Sequence, residues 1–281
     1  MYFGILLPLL RASEVVDKII NYESSPVFYR VEGEGFPVVL IHGFAEDGTI
    51  WQNQIAHLTK SFKLIVPDLP GSGNSPFNSK LITIDDLADC VKFILDKEKI
   101  STCIIVGHSL GGYITLAFAE KYPSTLKALG LFHSTAYADS EEKKLARKKG
   151  IEFIKKNGSR DFIKQSVPNL FSEEFNQKHP EIVNELIERY NNFNPDSLVS
   201  YYDAMMKRPD RTQQLKSFKK PVLFIAGEKD RAVPIEYSLQ QSYLPDLCYF
   251  HILTGSAHMG MFETVNLSNE MLNDFLKQAI Q

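Results

Sequence analysis

The six residues Gly107-His108-Ser109-Leu110-Gly111-Gly112 constrain the fold more than any other part of this sequence. They follow the apolar, largely β-branched run Thr102-Cys103-Ile104-Ile105-Val106 and lead into Tyr113-Ile114-Thr115-Leu116-Ala117-Phe118. The first run reads as a buried strand and the second as a packed helix. A serine therefore sits on a sharp strand-to-helix turn, with a glycine two residues to either side. In so tight a turn, side chains at 107 and 111 would collide with neighbouring backbone, so glycine fits both positions. The Ser109 hydroxyl is lifted above the sheet at a helix N-terminus, where negative charge is favoured.

The same rhythm runs through the first half of the chain. Val27–Glu32 has strand character, Gly33-Glu34-Gly35 is a turn, and Pro37–Ile41 is a buried strand ending at His42-Gly43-Phe44. Trp51, Ile55 and Leu58 recur at helical spacing, Lys63–Pro67 is a strand, and Asp68–Ser75 is a long loop. Thr83 is placed to cap a helix whose apolar face is Leu87, Val91, Ile94 and Leu95. Leu126–Phe132 is a further buried strand. Alternating strands and helices predict an α/β fold with a mostly parallel sheet covered on both faces. Ligands of such sheets sit at the carboxyl ends of the strands, where His42, Asp68, Ser109 and His133 would converge. From 134 to 218 no strand is evident and charged amphipathic helices follow one another; strand character resumes at Pro221–Ala226. The expected organisation is a body of 1–133 and 219–281, with 134–218 inserted as a helical cap.

Composition narrows the function. With 281 residues, 44% of them hydrophobic and 23% charged, the chain has an ordinary globular make-up. A net charge of −3 gives no basic surface for nucleic acid. The three cysteines, Cys90, Cys103 and Cys248, are dispersed and odd in number, and read as free thiols rather than a disulfide framework or a metal site. Met1–Leu10 is apolar, but Arg11 follows the run instead of preceding it, and ten residues cannot span a bilayer. The segment is read as packing on the body or contacting a partner. A cytoplasmic protein without membrane contact is expected, with a homodimer left open.

A serine in the Gly-x-Ser-x-Gly setting is the arrangement called a nucleophile elbow. Serine is a weak nucleophile at neutral pH and needs a histidine to take its proton and an acid to orient that histidine. His258 lies in the loop Gly255-Ser256-Ala257-His258-Met259-Gly260, just past the apolar stretch Cys248–Leu253, where such a base has to come from. Asp230, in Gly227-Glu228-Lys229-Asp230-Arg231-Ala232-Val233-Pro234, is the favoured acid and Glu228 the competitor. The backbone amides of Leu110 and of Phe44, after His42-Gly43, are candidate oxyanion donors. Gly43, Gly107 and Gly111 serve the turns. His108 and His133 are candidates to line a substrate pocket. No metal site or cofactor motif is evident.

These segments, in order from Val27 to Phe275, resemble the α/β-hydrolase fold superfamily in its capped esterase and lipase-like branch. The resemblance implies an eight-stranded sheet, a cap at 134–218 and a Ser109–His258–Asp230 triad. Serine at 109 separates the chain from the aspartate-elbow branch of haloalkane dehalogenases and epoxide hydrolases. Phe44 departs from the His-Gly-Gly-Gly pattern of acetylesterases and would narrow the oxyanion side of the pocket. The expected activity is cofactor-free hydrolysis of a small-molecule carboxylic ester. Carbon–carbon bond hydrolysis, a proline-iminopeptidase-like reaction and a small-molecule receptor with little turnover are the alternatives that the same pocket allows.

Overall fold

The apolar runs form strands, and the alternation of their side chains divides the core in two. In the computed structural model, which describes residues 15–78 and 82–281, the strands are β1 (Val16–Tyr22), β2 (Ser25–Glu32), β3 (Phe36–Ile41), β4 (Phe62–Pro67), β5 (Cys103–His108), β6 (Leu126–Phe132), β7 (Val222–Gly227) and β8 (Cys248–Leu253). They form one eight-stranded sheet in the order β1-β2-β4-β3-β5-β6-β7-β8. The β1/β2 and β2/β4 pairs are antiparallel and the rest are parallel. Val39, Ile41, Ile105, Val222 and Phe224 face one side; Val38, Leu40, Ile104, Leu223 and Ile225 face the other. Because both faces are buried, the central strands carry apolar residues on both sides.

On the first face, α2 (Ile84–Lys97) packs against α3 (Leu110–Lys121). Thr83 caps α2 as expected, in a reciprocal capping box with Asp86. On the other face, α1 (Gln52–Leu58) packs against α11 (Val265–Ile280), which follows the short α10 (Gly260–Glu263); α9 (Ile235–Gln241) joins β7 to β8. Trp51 belongs to a 3₁₀ turn, Gly48–Trp51, that precedes α1.

Between β6 and β7 come α4 (Glu141–Ser166), α5 (Glu173–Lys178), α6 (Pro180–Tyr190), α7 (Pro195–Lys207) and α8 (Thr212–Ser217). A 3₁₀ turn, Val167–Leu170, links α4 to α5, and α4 is broken at Gly158, where φ is +84°. Helix α7 is anchored to the Asp68–Ser75 loop: Ser197 Oγ donates to the Gly71 carbonyl at 2.7 Å and the Tyr201 hydroxyl to the Pro70 carbonyl at 2.8 Å. Helix α8 does not join them. It returns to α3, where Gln214 Nε2 donates to the Ala119 carbonyl at 3.0 Å. Of the helices between β6 and β7, α7 is thus tied to the Asp68–Ser75 loop and α8 to α3.

The β1 strand was not anticipated from its residues. It is an edge strand with Val16 and Ile19 exposed, so alternation along it is weak. The expectation for Met1–Leu10 lies outside the described residues. Among the described residues, no helix is long and apolar enough to cross a membrane.

Candidate active site

The β5–α3 turn takes the conformation that its glycines allow. Ser109 has φ +50°, ψ −112°, a strained setting for a residue with a side chain. A Cβ on Gly107 would fall on the backbone of Gly111, and one on Gly111 would fall on the Ile41 carbonyl. The strain is held by hydrogen bonds: the Ser109 amide donates to the Phe132 carbonyl at 2.9 Å, and Ser134 Oγ donates to the Ser109 carbonyl at 2.7 Å. Ser109 is partly exposed, at the floor of a cavity of about 230 Å³.

His258 lines the same cavity. Its Nδ1 lies 2.8 Å from Asp230 Oδ2, and both residues are buried. The other oxygen of Asp230 accepts from the amides of Ala232 and Val233 at 2.8 and 2.9 Å. Burial works against the Asp230 charge, but His258 and His133 and their hydrogen bonds outweigh it and hold the carboxyl far below the usual carboxylate range. Glu228 is exposed, and its carboxylate accepts from the Gly255 amide at 2.7 Å, away from His258. Among the described residues, the Ser109 hydroxyl has no hydrogen-bond partner. The Leu110 amide opens α3 and so has no acceptor within the helix. The Phe44 amide lies on the facing loop, with Phe44 itself lining the cavity.

That loop is fixed by a residue whose importance the sequence did not reveal. Glu46 Oε2 accepts from the Gly43 amide at 2.7 Å and lies 3.0 Å from His108 Nδ1. His108 Nε2 donates to the His258 carbonyl at 3.1 Å. Since Nε2 carries a proton, a hydrogen bond at Nδ1 requires a second proton shared with the carboxyl. Burial disfavours charge on both, yet each partner outweighs it: Glu46 is lowered from the ordinary carboxylate range and His108 raised from the ordinary imidazole range. His42 ties the same loop to Leu69, whose amide donates to His42 Nε2 at 3.0 Å.

A second residue of this kind is Glu263. One carboxylate oxygen accepts from the Ala257 amide at 2.9 Å and the other from the Ser172 amide at 3.0 Å. The His258 amide itself donates to the Leu170 carbonyl at 2.9 Å. The loop bearing His258 is thus fastened to the inserted segment. Only its position next to His258 could have hinted at this role for Glu263.

The expectation that His108 and His133 line the pocket is corrected. They are 0% and 1% exposed and lie behind the cavity wall. His108 is held between Glu46 and the His258 carbonyl, and the ring of His133 turns toward Asp230, with Nδ1 3.1 Å from Oδ2. The ligand atoms of His133, Asp230 and His258 lie within 4.8 Å of one another, close enough for a metal ion, but hydrogen bonding among the three accounts for that spacing.

The cavity lies between the body and the inserted helices. Phe44 stacks on Tyr202 at 4.3 Å, and Phe162 meets both rings edge-on. Three cations, Lys143, Arg147 and Arg231, also line it. Asp139, whose carboxylate is fully buried, takes both Arg147 at 2.6 Å and Arg208 at 2.8 Å, so this cluster carries excess positive charge.

A parallel sheet with a serine at the β5–α3 turn, an acid after β7 and a histidine after β8 is the α/β-hydrolase design, and residues 37–264 match the alpha/beta hydrolase fold family. The chain belongs to that family. It is 27% identical over 266 residues to a 2-hydroxy-6-oxononadienedioate/2-hydroxy-6-oxononatrienedioate hydrolase of Paraburkholderia phymatum, covering 90% of this chain and 91% of that one. It is 26% identical over 250 residues to the uncharacterised hydrolase YugF of Bacillus subtilis, covering 85% and 89%. Among solved structures, a thermophilic esterase from Thermogutta terrifontis, with malate bound, superposes with a TM-score of 0.88 at 26% identity, covering 94% of this chain and 99% of that one.

Proposed function

We propose that this hydrolase is a serine carboxylesterase that cleaves a small-molecule ester through an acyl-enzyme on Ser109. The observation that carries the reading is the Asp230–His258 hydrogen bond of 2.8 Å, with His258 facing the same cavity as a serine held at φ +50°. Ser109 Oγ attacks the acyl carbon while His258 Nε2 takes its proton, and Asp230 stabilises the resulting imidazolium. The Leu110 and Phe44 amides stabilise the oxyanion. His258 returns the proton to the leaving alcohol, and water, activated by the same histidine, releases the acid. Hydrogen bonds between nucleophile and base commonly close only with substrate in place. Nucleophile, base, acid and oxyanion donors all belong to this chain, so the reaction needs no cofactor. The helices α4–α7 act as the cap, and free thiols at Cys90, Cys103 and Cys248 suit a cytoplasmic location.

The test is direct. The purified chain is expected to react with a fluorophosphonate probe and to cleave short-chain p-nitrophenyl esters. Ser109→Ala is expected to abolish both without loss of fold. A wild-type chain that neither labels nor cleaves any ester refutes the reading.

The cations favour a second reading, hydrolysis of a carbon–carbon bond in a carboxylate-bearing substrate. Lys143, Arg147 and Arg231 share the cavity with Ser109, and the Paraburkholderia relative is named for a dioate substrate. Faster turnover of a vinylogous 1,5-diketone acid than of any ester selects this reading over the first.

A further inference from the structure

We propose that His133 is a positioning residue of the triad, donating a second imidazole N–H to Asp230 Oδ2 and so sharing the carboxylate that orients His258. The proposal rests on the hydrolase reading above. It starts from two costs that the fold accepts at one residue. His133 has φ +50°, in the left-handed region, and its Nε2 is buried with no hydrogen-bond partner. Such costs persist where surrounding structure holds them in place, and they concentrate at functional sites.

The surroundings fit the ring closely. Glycines flank it on two sides: a Cβ on Gly227 would lie 2.9 Å from His133 Cε1, and one on Gly260 would lie 2.5 Å from Nε2. The His133 amide is pinned to the Ile225 carbonyl at 2.8 Å. Nδ1 then faces Asp230 Oδ2 at 3.1 Å, on the oxygen that His258 approaches at 2.8 Å. The Gly227 N–H also points at that Nδ1, at 3.2 Å, and would donate to it if Nδ1 carried no proton. Only one of these two contacts can be a hydrogen bond, because Nδ1 either carries a proton or accepts one. A lone pair there would face the Asp230 charge, so the proton belongs on Nδ1 and points at the carboxylate. The ring stays neutral: burial pushes the His133 imidazole down to about 4. The titratable groups facing it are Asp230, His258 at 5.7 Å between ring centroids and His108 at 6.1 Å, the last paired with Glu46.

The consequence has a sign. A donor that shares Oδ2 draws off part of the negative charge that would otherwise stabilise protonated His258. His133 therefore competes with His258 for the carboxylate, and its loss is expected to move the acid limb of the labelling profile to higher pH.

Two variants and one wild-type measurement test this. The pH dependence of the fluorophosphonate labelling rate reads the ionisation of the free enzyme's base. In His133→Leu, which fills the slot without a donor, the acid limb is expected to move up by about one pH unit, in line with loss of a hydrogen bond to a charged group. His133→Asn, which carries a donor close to the Nδ1 position, is expected to restore the limb toward wild type. Coincident limbs in all three proteins, or equal shifts in both variants, overturn the proposal. Imidazole ¹⁵N NMR of the wild-type protein requires no variant to fold: His133 is expected as the neutral Nδ1–H tautomer, and an Nε2–H tautomer overturns the proposal. If the wild type does not label at all, the hydrolase reading fails, while the tautomer still decides whether His133 donates to Asp230.

Discussion

Glu46 gives the sharpest test of how the site is held, because one oxygen serves two partners. Removing the side chain in Glu46→Ala leaves the Gly43 amide without its acceptor at 2.7 Å and buried His108 without its partner at 3.0 Å. Breaking a buried charge pair from one side costs about 3–5 kcal/mol. At about 2.1 cal/mol/K per residue, unfolding a chain of 281 residues carries an entropy of about 0.6 kcal/mol/K near 60 °C, so that loss lowers Tm by about 5–8 °C. The kinetic effect follows a different route. On the proposed mechanism, the Gly43–Ala45 loop freed from Glu46 no longer fixes the Phe44 amide, and losing one oxyanion donor costs about 10²–10³-fold in kcat. KM is expected to change little, because that donor acts in the transition state. Glu46→Gln keeps an oxygen for the Gly43 amide and is expected to hold kcat within about tenfold of wild type. Thermal melts and p-nitrophenyl acetate kinetics on the three proteins supply both readouts. If folded Glu46→Ala retains kcat within twofold of wild type, Glu46 does not position the oxyanion loop and the reasoning is wrong.

Three further outcomes are expected. Tyr202→Ala removes the ring stacked on Phe44 at 4.3 Å; the kcat/KM ratio for p-nitrophenyl octanoate over acetate should rise at least about tenfold, the lower end of the roughly 1–3 kcal/mol that one additional accommodated methylene is worth, and an unchanged ratio would show that this ring does not bound the acyl pocket. Lys143→Gln should raise KM for a carboxylate-bearing substrate about tenfold or more while leaving a neutral ester unaffected; equal effects on both would remove the anion-binding reading of the cavity. Stability should fall as pH drops below about 6.5, because His133, held neutral down to about 4 when folded, takes up a proton more readily once unfolded. At about 1.4 kcal/mol per pH unit its full contribution is about 3 kcal/mol, and His133→Asn should flatten that slope in urea melts between pH 6.5 and 4.5.

The fold was legible where both faces of a strand are buried. Runs such as Ile104-Ile105-Val106 and Leu223-Phe224-Ile225 carry apolar residues at every position and need no partner sequence to be recognised. The β1 strand was not, because half its surface is wet and its pairing with β2 is set by the turn at Tyr22–Ser25. In the site, Ser109, Asp230 and His258 could be proposed because each follows a recognisable strand, and sheet topology brings strand ends together. Glu46 and Glu263 escaped notice because their roles depend on amides reached only after folding: Gly43 and Ala257 nearby, Ser172 from 91 residues away. His133 is legible as a strand-end residue but not in its role. Its position at a strand end suggested the pocket, whereas φ +50° turns its ring toward the acid.

The same bonds explain why substrate preference is harder to read than chemistry. The His258 amide is held by Leu170, and Glu263 clamps Ala257 to Ser172. Displacing the 170–172 segment would break the hydrogen bond on the His258 backbone, so that part of the insert is tied to the proposed base. Selectivity then falls to the walls that this staple leaves free to vary: the Phe162 and Tyr202 rings, and Lys143 and Arg147 on the first half of α4. Those residues belong to α4 and α7, where helix formation and packing demand little of any one exposed position. Many side chains satisfy that demand equally well, and each choice gives a different pocket around the same Ser109, His258 and Asp230.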